Sequence, residues 1–228
     1  MERKITFSVG EYYHIYNRGN DKRIIFIDNT DYLRFLTLLY ISNNTEAVHI
    51  SNLVNQGDSL VKIMKMQRED TLVDIGAYCL LPNHFHLLVK EKKENGITKF
   101  MGKMSTGYSM YFNKKNERTG KLFEGTFKSV HADVDVYLKY LFSYIHLNPI
   151  KIIDPNWKEE GIKDKNKAKE FLREYVFSSY MDYLGADRPE SGIINKQAFP
   201  DYFSTQQDFN YTINDWLSFK NTTIKATP

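Results

Sequence analysis

Two histidines stand one residue apart in the apolar run "CLLPNHFHLLVKE", residues 79–91. Side chains alternate across a β-strand, so His84 and His86 point to the same face if this run is a strand. Two adjacent imidazoles can bind one metal ion. The alternative is a pair of histidines at the edge of the core that donate hydrogen bonds to backbone carbonyls. From the pair alone, this structural interpretation is favoured over a metal site. A metal site therefore requires further ligands from elsewhere in the chain.

A second reactive group is found in "YLKYLFSYIHLNP", residues 137–149. Residues four apart on a helix lie on nearly the same face, so Tyr144 and Asn148 project together. They would supply a hydroxyl nucleophile and a neutral oxygen ligand. Tyr140, one turn earlier, is the alternative nucleophile. The tyrosines could instead form a buried stripe, with Asn148 ending the helix before Pro149.

The elements that must position these residues follow from the hydrophobic periodicity. The sequence predicts strands at 11–18, 73–81, 84–90 and 122–132, and helices at 29–44, at 96–113 and from a cap at Asp133 to Pro149. Only two residues separate the second and third strands, which predicts a hairpin. The order β-α-β-β-α-β-α predicts an α+β fold, with a ferredoxin-like split βαβ core, an antiparallel sheet and an added helix.

The composition of the chain changes near residue 150. We expect residues 1–150 to form the first domain and residues 151–228 to form a helical extension packed on it. The extension begins with the charged stretch 154–170 and then shows two aromatic patterns of helical type, at 171–185 and 211–219. In the first domain, residues 42–71 are polar and uneven, which predicts a variable loop with a short element.

Composition narrows the class of protein. The 228 residues are 42% hydrophobic, which is ordinary for a globular chain. No apolar stretch reaches the roughly 18 residues of a membrane span, and the start lacks an apolar signal segment, which indicates a cytoplasmic protein without a membrane partner. The lone Cys79 excludes an intramolecular disulfide and indicates a buried apolar role.

Charge is unevenly distributed along the chain. Residues 84–151 hold 12 Lys and Arg against 6 Asp and Glu, although the net charge of the whole chain is only +3. A basic surplus of this kind favours a polyanionic partner, nucleic acid above all, while a solvated surface is the more common explanation of charge runs.

The sequence resembles the single-tyrosine HUH transposases, in particular their REP-associated tyrosine transposase branch within the insertion-sequence-type family. Four ordered blocks carry the resemblance: "YHIYNRGNDKRIIFIDNTDYLRFL", "AYCLLPNHFHLLVK", "LFEGTFKS" and "YLKYLFSYIHLNP". HUH denotes His, a hydrophobic residue and His, here residues 84–86. The likeness spans roughly residues 11–150 and implies the HUH endonuclease fold.

The resemblance also implies residue roles. His84 and His86 would be metal ligands, Tyr144 the nucleophile and Asn148 the third protein ligand, at a position where family members often have Gln. Two imidazoles alone would suggest zinc. The resemblance implies Mg²⁺ or Mn²⁺ instead, which an amide oxygen and open positions also suit.

The implied reaction is cleavage and rejoining of single-stranded DNA near hairpins. The tyrosine hydroxyl would attack a phosphate, leaving a 5′-phosphotyrosine link and a free 3′-hydroxyl. The covalent link conserves the phosphodiester energy, so rejoining would need no ATP. Two alternatives stay open at this point: a hairpin-binding protein without cleavage activity, and a metal-dependent phosphoesterase that activates water.

Basic residues are candidates for phosphate contacts. They comprise Arg18 and the densest basic stretch, Lys114, Lys115, Arg118, Lys121 and Lys128. His14 could lie near the site or be structural. His49, His131 and His146 receive no role, and helical rotation places His146 about 200° from Tyr144.

The expected partner is single-stranded DNA with hairpin ends. Family members work either as dimers that exchange the tyrosine helix or as monomers. A homodimer is therefore one of two expectations for this chain.

Overall fold

Alternating side chains give the central sheet two different faces. A computed structural model describes residues 6–46, 50–68 and 70–218. Within these ranges the sheet contains β1 (Tyr12–Arg18), β2 (Val73–Leu81), β3 (His84–Glu91) and β4 (Lys128–His131). The spatial order is β2-β3-β1-β4, with each neighbouring pair antiparallel. Because β3 lies between β1 and β2, the order is that of a split βαβ fold, which confirms the predicted ferredoxin-like core.

Helices cover both faces of the sheet and continue beyond it. They are α1 (Asn29–Ile41), α2 (Ile50–Asn55), α3 (Leu60–Ile63), α4 (Gly96–Lys115), α5 (Asp135–Leu147), α6 (Trp157–Glu160), α7 (Lys165–Glu174), α8 (Tyr180–Tyr183) and α9 (Gln206–Ser218). Single-turn 3-10 helices occur at Asn20–Lys22, Asn148–Ile152, Pro189–Ile193 and Lys196–Ala198. No helix of the described residues is long and apolar enough to cross a membrane.

The first face of the sheet packs against α1 and α4. Phe85, Leu87 and Val89 of β3 point into this core, where they are fully buried. At the start of α4 the buried carboxylate of Glu91 accepts hydrogen bonds from the backbone N–H groups of Gly96, at 3.0 Å, and Ile97, at 2.7 Å. These bonds satisfy donors that have no partner within the helix. They fix α4 to the end of β3.

The second face packs against α5 and the C-terminal segments. Phe142 and Ile145 of α5 share one buried cluster with Leu88 of β3 and with Phe199 and Phe209 from the chain beyond residue 150. The segment between α7 and α8 also pairs with the edge strand β2 through an antiparallel bridge from Ser178 to Cys79. The C-terminal segments therefore complete the core beside α5.

A glycine in β2 makes this packing possible. The strand shifts its register between Ile75 and Ala77, and Gly76 lies at the irregularity. A Cβ atom on Gly76 would come within 2.7 Å of the Phe199 ring. Only glycine leaves room there for an aromatic ring flat against the strand.

Several boundaries differ from the expectations. The fourth strand, expected over 122–132, is limited to Lys128–His131, because the preceding residues follow an irregular path in which Gly125 has a φ of +146°. The expected Asp133 cap is wrong: Val134 precedes α5, and no side chain caps the helix. Cys79 is buried, as predicted.

The tail also differs in detail. The helical pattern expected over 171–185 is interrupted after Glu174 and resumes at Tyr180, because the intervening residues pair with β2. The second pattern lies within α9, although its last residue is outside the described ranges. The polar stretch 42–71 contains the short helices α2 and α3, as expected of a loop with a short element. A domain boundary at residue 150 stays a prediction.

Candidate active site

Three histidines lie on the sheet face that α5 covers. His84 and His86 occupy alternate positions of β3, and their rings are 5.1 Å apart at an angle of 86°. On β1, Arg18 is the register partner of His84, and Tyr16 that of His86. His14, two residues before Tyr16, projects to the same face, which places a third imidazole beside the pair.

Hydrogen bonds orient both histidines of β3 in the same way. Nδ1 of His84 lies 2.6 Å from Oδ1 of Asn83, and Nδ1 of His86 lies 2.9 Å from Nε2 of His14. An amide oxygen only accepts, so Nδ1 of His84 carries the proton and Nε2 keeps its lone pair. If His86 likewise donates to His14, its Nε2 also presents a lone pair. This is the usual arrangement of metal-binding histidines, whose second nitrogen is held by a neighbouring group.

The same histidines stay neutral at physiological pH. Burial lowers the pKa of His14 to about 3 and that of His84 to about 4, and the positive charge of Lys158 contributes to both shifts. Burial also lowers the pKa of His86 well below its usual range. A neutral imidazole is the form that binds metal ions. The protein therefore keeps these lone pairs free of protons.

Tyr144 of α5 lies directly over the histidines. Its ring is 5.5 Å from that of His86 and 5.8 Å from that of His14, edge-on to both. Tyr140, one turn earlier, stacks on Tyr144 at 5.7 Å. The ammonium of Lys158 donates a hydrogen bond of 2.9 Å to the Tyr144 hydroxyl. Of the two candidate nucleophiles, Tyr144 is the one in ring contact with the histidines.

Asn148 immediately follows α5 and is the first residue of the 3-10 helix Asn148–Ile152. Its side chain is buried, with 1% of the residue exposed, and its amide nitrogen has no hydrogen-bond partner among the described residues. A buried donor without a partner is costly. The atom of Asn148 that could ligate a cation is the amide oxygen, because the amide nitrogen only donates.

These residues fit a divalent cation. Within the described ranges no three His, Cys, Asp or Glu side chains form a group that could hold a metal ion, so a third protein ligand must be of another type. Two neutral imidazoles supply nitrogen ligands, and the side-chain oxygen of Asn148 is a ligand of another type. His84, His86 and Asn148 are therefore the residues that would hold the ion.

Comparison with known proteins agrees with this geometry. The family model described as IS200-like transposase matches residues 49–148, the span that contains His84, His86, Tyr144 and Asn148. Over these residues the chain is similar to the IS200-like transposases. No curated protein matches the sequence.

A solved structure of a REP-associated tyrosine transposase bound to a REP hairpin has the same fold as this protein. The two share 12% sequence identity, with a TM-score of 0.50 over 81% of this chain and 86% of that chain. At this identity the likeness concerns the fold. It confirms the predicted HUH architecture, including helices beyond the sheet.

The candidate phosphate contacts fall on both faces of the sheet. Arg18 lies on the histidine face, paired with Glu124 by hydrogen bonds of 2.8 and 3.0 Å. Lys128 lies on the same face, with its ammonium 6.0 Å from the centre of the Tyr16 ring. Lys115 belongs to the opposite side, where it bonds to Asp28 and Asp31, both at 2.7 Å.

The remaining candidates lie at the end of α4 and in the turn after it. Arg118 donates to Asn113 at 2.9 Å, whereas Lys114 and Lys121 are exposed. Arg18 and Lys128 are therefore the members of the set that share a face with the histidines.

The histidines without an assigned role lie away from the candidate site or outside the described part of the chain. His146 belongs to α5 and is buried, with its Nε2 2.7 Å from the Ser179 hydroxyl. His131 pairs with Glu11 at 2.8 Å near the end of β4. His49 lies outside the described residues.

Sequence reasoning missed Lys158. It belongs to the charged stretch 154–170, which reads as a solvated linker, and it follows Tyr144 by 14 residues with no helical or strand periodicity to connect them. The adjacent Trp157 was the available signal, because a large aromatic residue in a charged stretch often anchors it to a core.

Proposed function

We propose that this protein is a transposase that cleaves and rejoins single-stranded DNA near hairpins, with Tyr144 as the nucleophile. The observation that carries the proposal is the contact of the Tyr144 ring with His86 and His14 on one face of the sheet. Tyr144 therefore places a hydroxyl nucleophile beside His86, one of the two proposed metal ligands, as a metal-assisted phosphoryl transfer requires.

The reaction proposed is an exchange of phosphodiester partners. The Tyr144 oxygen forms a bond to phosphorus, the bond from phosphorus to the 3′-oxygen breaks, and that oxygen leaves as a hydroxyl. The phenolic proton is lost to water or a base. Rejoining is the reverse, in which a 3′-hydroxyl displaces the tyrosine from the 5′-phosphate.

The chain contributes placement and charge to this exchange. His84, His86 and Asn148 would hold Mg²⁺ or Mn²⁺, which when bound would neutralise charge that grows on the phosphate oxygens. Arg18 and Lys128 lie on the same face and would position the DNA backbone through its phosphates. Such contacts select no base sequence, so recognition of a hairpin would depend on its shape and its single-stranded flanks.

The proposal extends to partners and place of action. A hairpin-bearing single strand is the proposed substrate, in keeping with the REP hairpin bound by the structurally similar transposase. Action in the cytoplasm is part of the proposal. We propose residues 1–150 as the catalytic domain and the remainder as an extension packed on it. A homodimer is a further proposal, tested by the mass of the protein in solution.

A Tyr144→Phe variant tests the nucleophile. Purified protein is incubated with labelled single-stranded DNA from the flanks of its own gene, with Mn²⁺ or with EDTA, and resolved on a denaturing protein gel. We expect a metal-dependent covalent adduct with the wild type and none with Tyr144→Phe, while hairpin binding persists.

Tyr140→Phe is the matched control, since it removes a hydroxyl one turn away and should leave the adduct in place. Cleavage without any adduct would support the phosphoesterase alternative. Hairpin binding with neither cleavage nor adduct would support a binding protein.

A further inference from the structure

Lys158 contacts Tyr144, although it is neither a proposed metal ligand nor a proposed DNA-positioning residue. Its Nζ lies 2.9 Å from the hydroxyl oxygen of Tyr144 and 4.2 Å from the centre of the same ring. The ammonium therefore contacts both the hydroxyl oxygen and the π face of the proposed nucleophile.

A short helix holds the lysine in this place. Lys158 lies in α6, whose Trp157 side chain is partly buried in the cluster that also contains Tyr144. At the start of the helix, the backbone oxygen of Asn156 accepts hydrogen bonds from Glu159 at 3.0 Å and Glu160 at 2.9 Å. Because Trp157 anchors α6, the neighbouring Lys158 stays beside the tyrosine although it belongs to a distant part of the sequence.

The contact adds little to folding stability. Lys158 is exposed, and water competes for its hydrogen bonds. A long side chain also loses rotamer freedom when it is held in one position. Because the contact contributes little stability, we look for its role in the reaction, in which the charge on the Tyr144 oxygen changes.

We propose that Lys158 is a catalytic residue that stabilises negative charge on the Tyr144 oxygen during cleavage and rejoining. This inference rests on the proposed function. In cleavage, the tyrosine oxygen gains its bond to phosphorus as the bond to the 3′-oxygen breaks. In rejoining, the 3′-oxygen takes the phosphorus and the tyrosine oxygen leaves with the electron pair of the broken bond. The ammonium lies against the oxygen that carries this charge.

The transition state is the same in both directions, so one group that stabilises it accelerates both. A lysine that only bound the DNA backbone would instead change affinity, with little effect on the rate at saturating DNA. A lysine that only held the hydroxyl away from the phosphate would slow the reaction, and its removal would raise the rate. These three roles predict different kinetics.

The experiment compares the wild type with Lys158→Ala and Lys158→Arg in Mn²⁺. Rates of adduct formation and of adduct rejoining to an added 3′-hydroxyl strand are measured at saturating DNA, with hairpin affinity measured separately. We expect Lys158→Ala to slow both reactions by a similar factor, about tenfold or more, with Kd changed less than about threefold. Lys158→Arg keeps the charge and should recover part of the rate.

Lys163→Ala is the matched control. Lys163 lies in the same segment and is exposed, but it pairs with Glu160 at 3.0 Å. Its removal should leave both rates unchanged. All variants should melt within a few degrees of the wild type, since these side chains contribute little to the core.

The inference is overturned if Lys158→Ala keeps the wild-type rates, raises them, or loses hairpin affinity alone. In each of these cases the wild-type adduct still forms and the proposed function stands. An absent adduct in the wild type would overturn both together.

Discussion

Nε2 of His14 lies 2.9 Å from Nδ1 of His86, and this buried contact joins β1 to the HUH strand β3. Both pKa values are lowered by burial, so the contact joins two neutral rings, one of which donates a proton to the other. If His86 is the donor, His14 sets the tautomer in which Nε2 of His86 faces the metal position.

The first prediction concerns this orientation. His14→Ala should weaken Mn²⁺ binding by about tenfold or more, since loss of a group that orients a metal ligand typically has this effect. His14→Gln can still accept a hydrogen bond and should bind more tightly than the alanine variant. Mn²⁺ titration followed by electron paramagnetic resonance measures both. Equal affinity in wild type and His14→Ala would exclude the orienting role.

A substitution of Asn148 should affect stability and metal binding differently. Asn148→Leu has a similar volume and removes a buried amide nitrogen that has no partner within the described structure. We expect the free energy of unfolding to stay level or rise, because the cost of an unsatisfied buried group is removed. Mn²⁺ affinity and adduct formation should fall. A large loss of stability in chemical denaturation would show instead that the amide supports the fold.

Two lysines on opposite faces should differ in DNA binding. Lys128→Ala should weaken hairpin binding, because Lys128 lies on the histidine face. The slope of log affinity against log salt concentration should become shallower by about 1, as expected for the loss of one phosphate contact. Lys115→Ala should leave hairpin affinity nearly unchanged.

Lys115→Ala should act on stability instead. It leaves the fully buried carboxylate of Asp31 without its cation and should lower the free energy of unfolding by about 1.5–3 kcal/mol. Fluorescence anisotropy at several salt concentrations and urea denaturation measure the two effects. The assignment of faces fails if Lys115→Ala weakens binding more than Lys128→Ala.

Phe199 tests the packing of the C-terminal segment on β2. Its ring is 7% exposed and lies against Gly76. Phe199→Ala should lower the free energy of unfolding by about 3–5 kcal/mol, as expected for a large aromatic side chain removed from a core. Tyr211→Ala, at a side chain 74% exposed on α9, is the control and should change stability little. Similar denaturation midpoints for the two variants would contradict this packing.

Acid should destabilise the protein through its buried histidines. Burial lowers the pKa of His146 to about 3, whereas an unfolded chain binds this proton near pH 6.5. Below that pH the unfolded state binds a proton that the folded state does not. Stability from this group is therefore present above pH 6.5 and is lost as the pH falls towards the folded pKa.

The slope contributed by one such histidine is about 1.4 kcal/mol per pH unit. His146→Gln removes it, so the free energy of unfolding of the variant should fall less steeply between about pH 6 and pH 4. Urea denaturation at each pH measures the slopes. Parallel curves would mean that His146 gains its proton in the folded protein.

Local sequence patterns determined much of this protein. The alternation of "HFHLLVK" places His84 and His86 on one face, because side-chain direction in a strand depends only on the backbone repeat. Helical spacing likewise relates Tyr144 to Asn148. Element order led to the split βαβ core, and the ordered motifs to the transposase family.

Tertiary structure alone decided which residues meet across long stretches of chain. Neither the contact of His14 with His86 nor that of Lys158 with Tyr144 follows from any local repeat, because strand register and the path of α6 set them. The same applies to the break at Ser178, where pairing with β2 overrides a helical pattern. It applies also to Lys115 and Lys128, which are alike in sequence but lie on opposite faces of the sheet. Periodicity describes one element at a time, whereas these contacts depend on how the elements pack together.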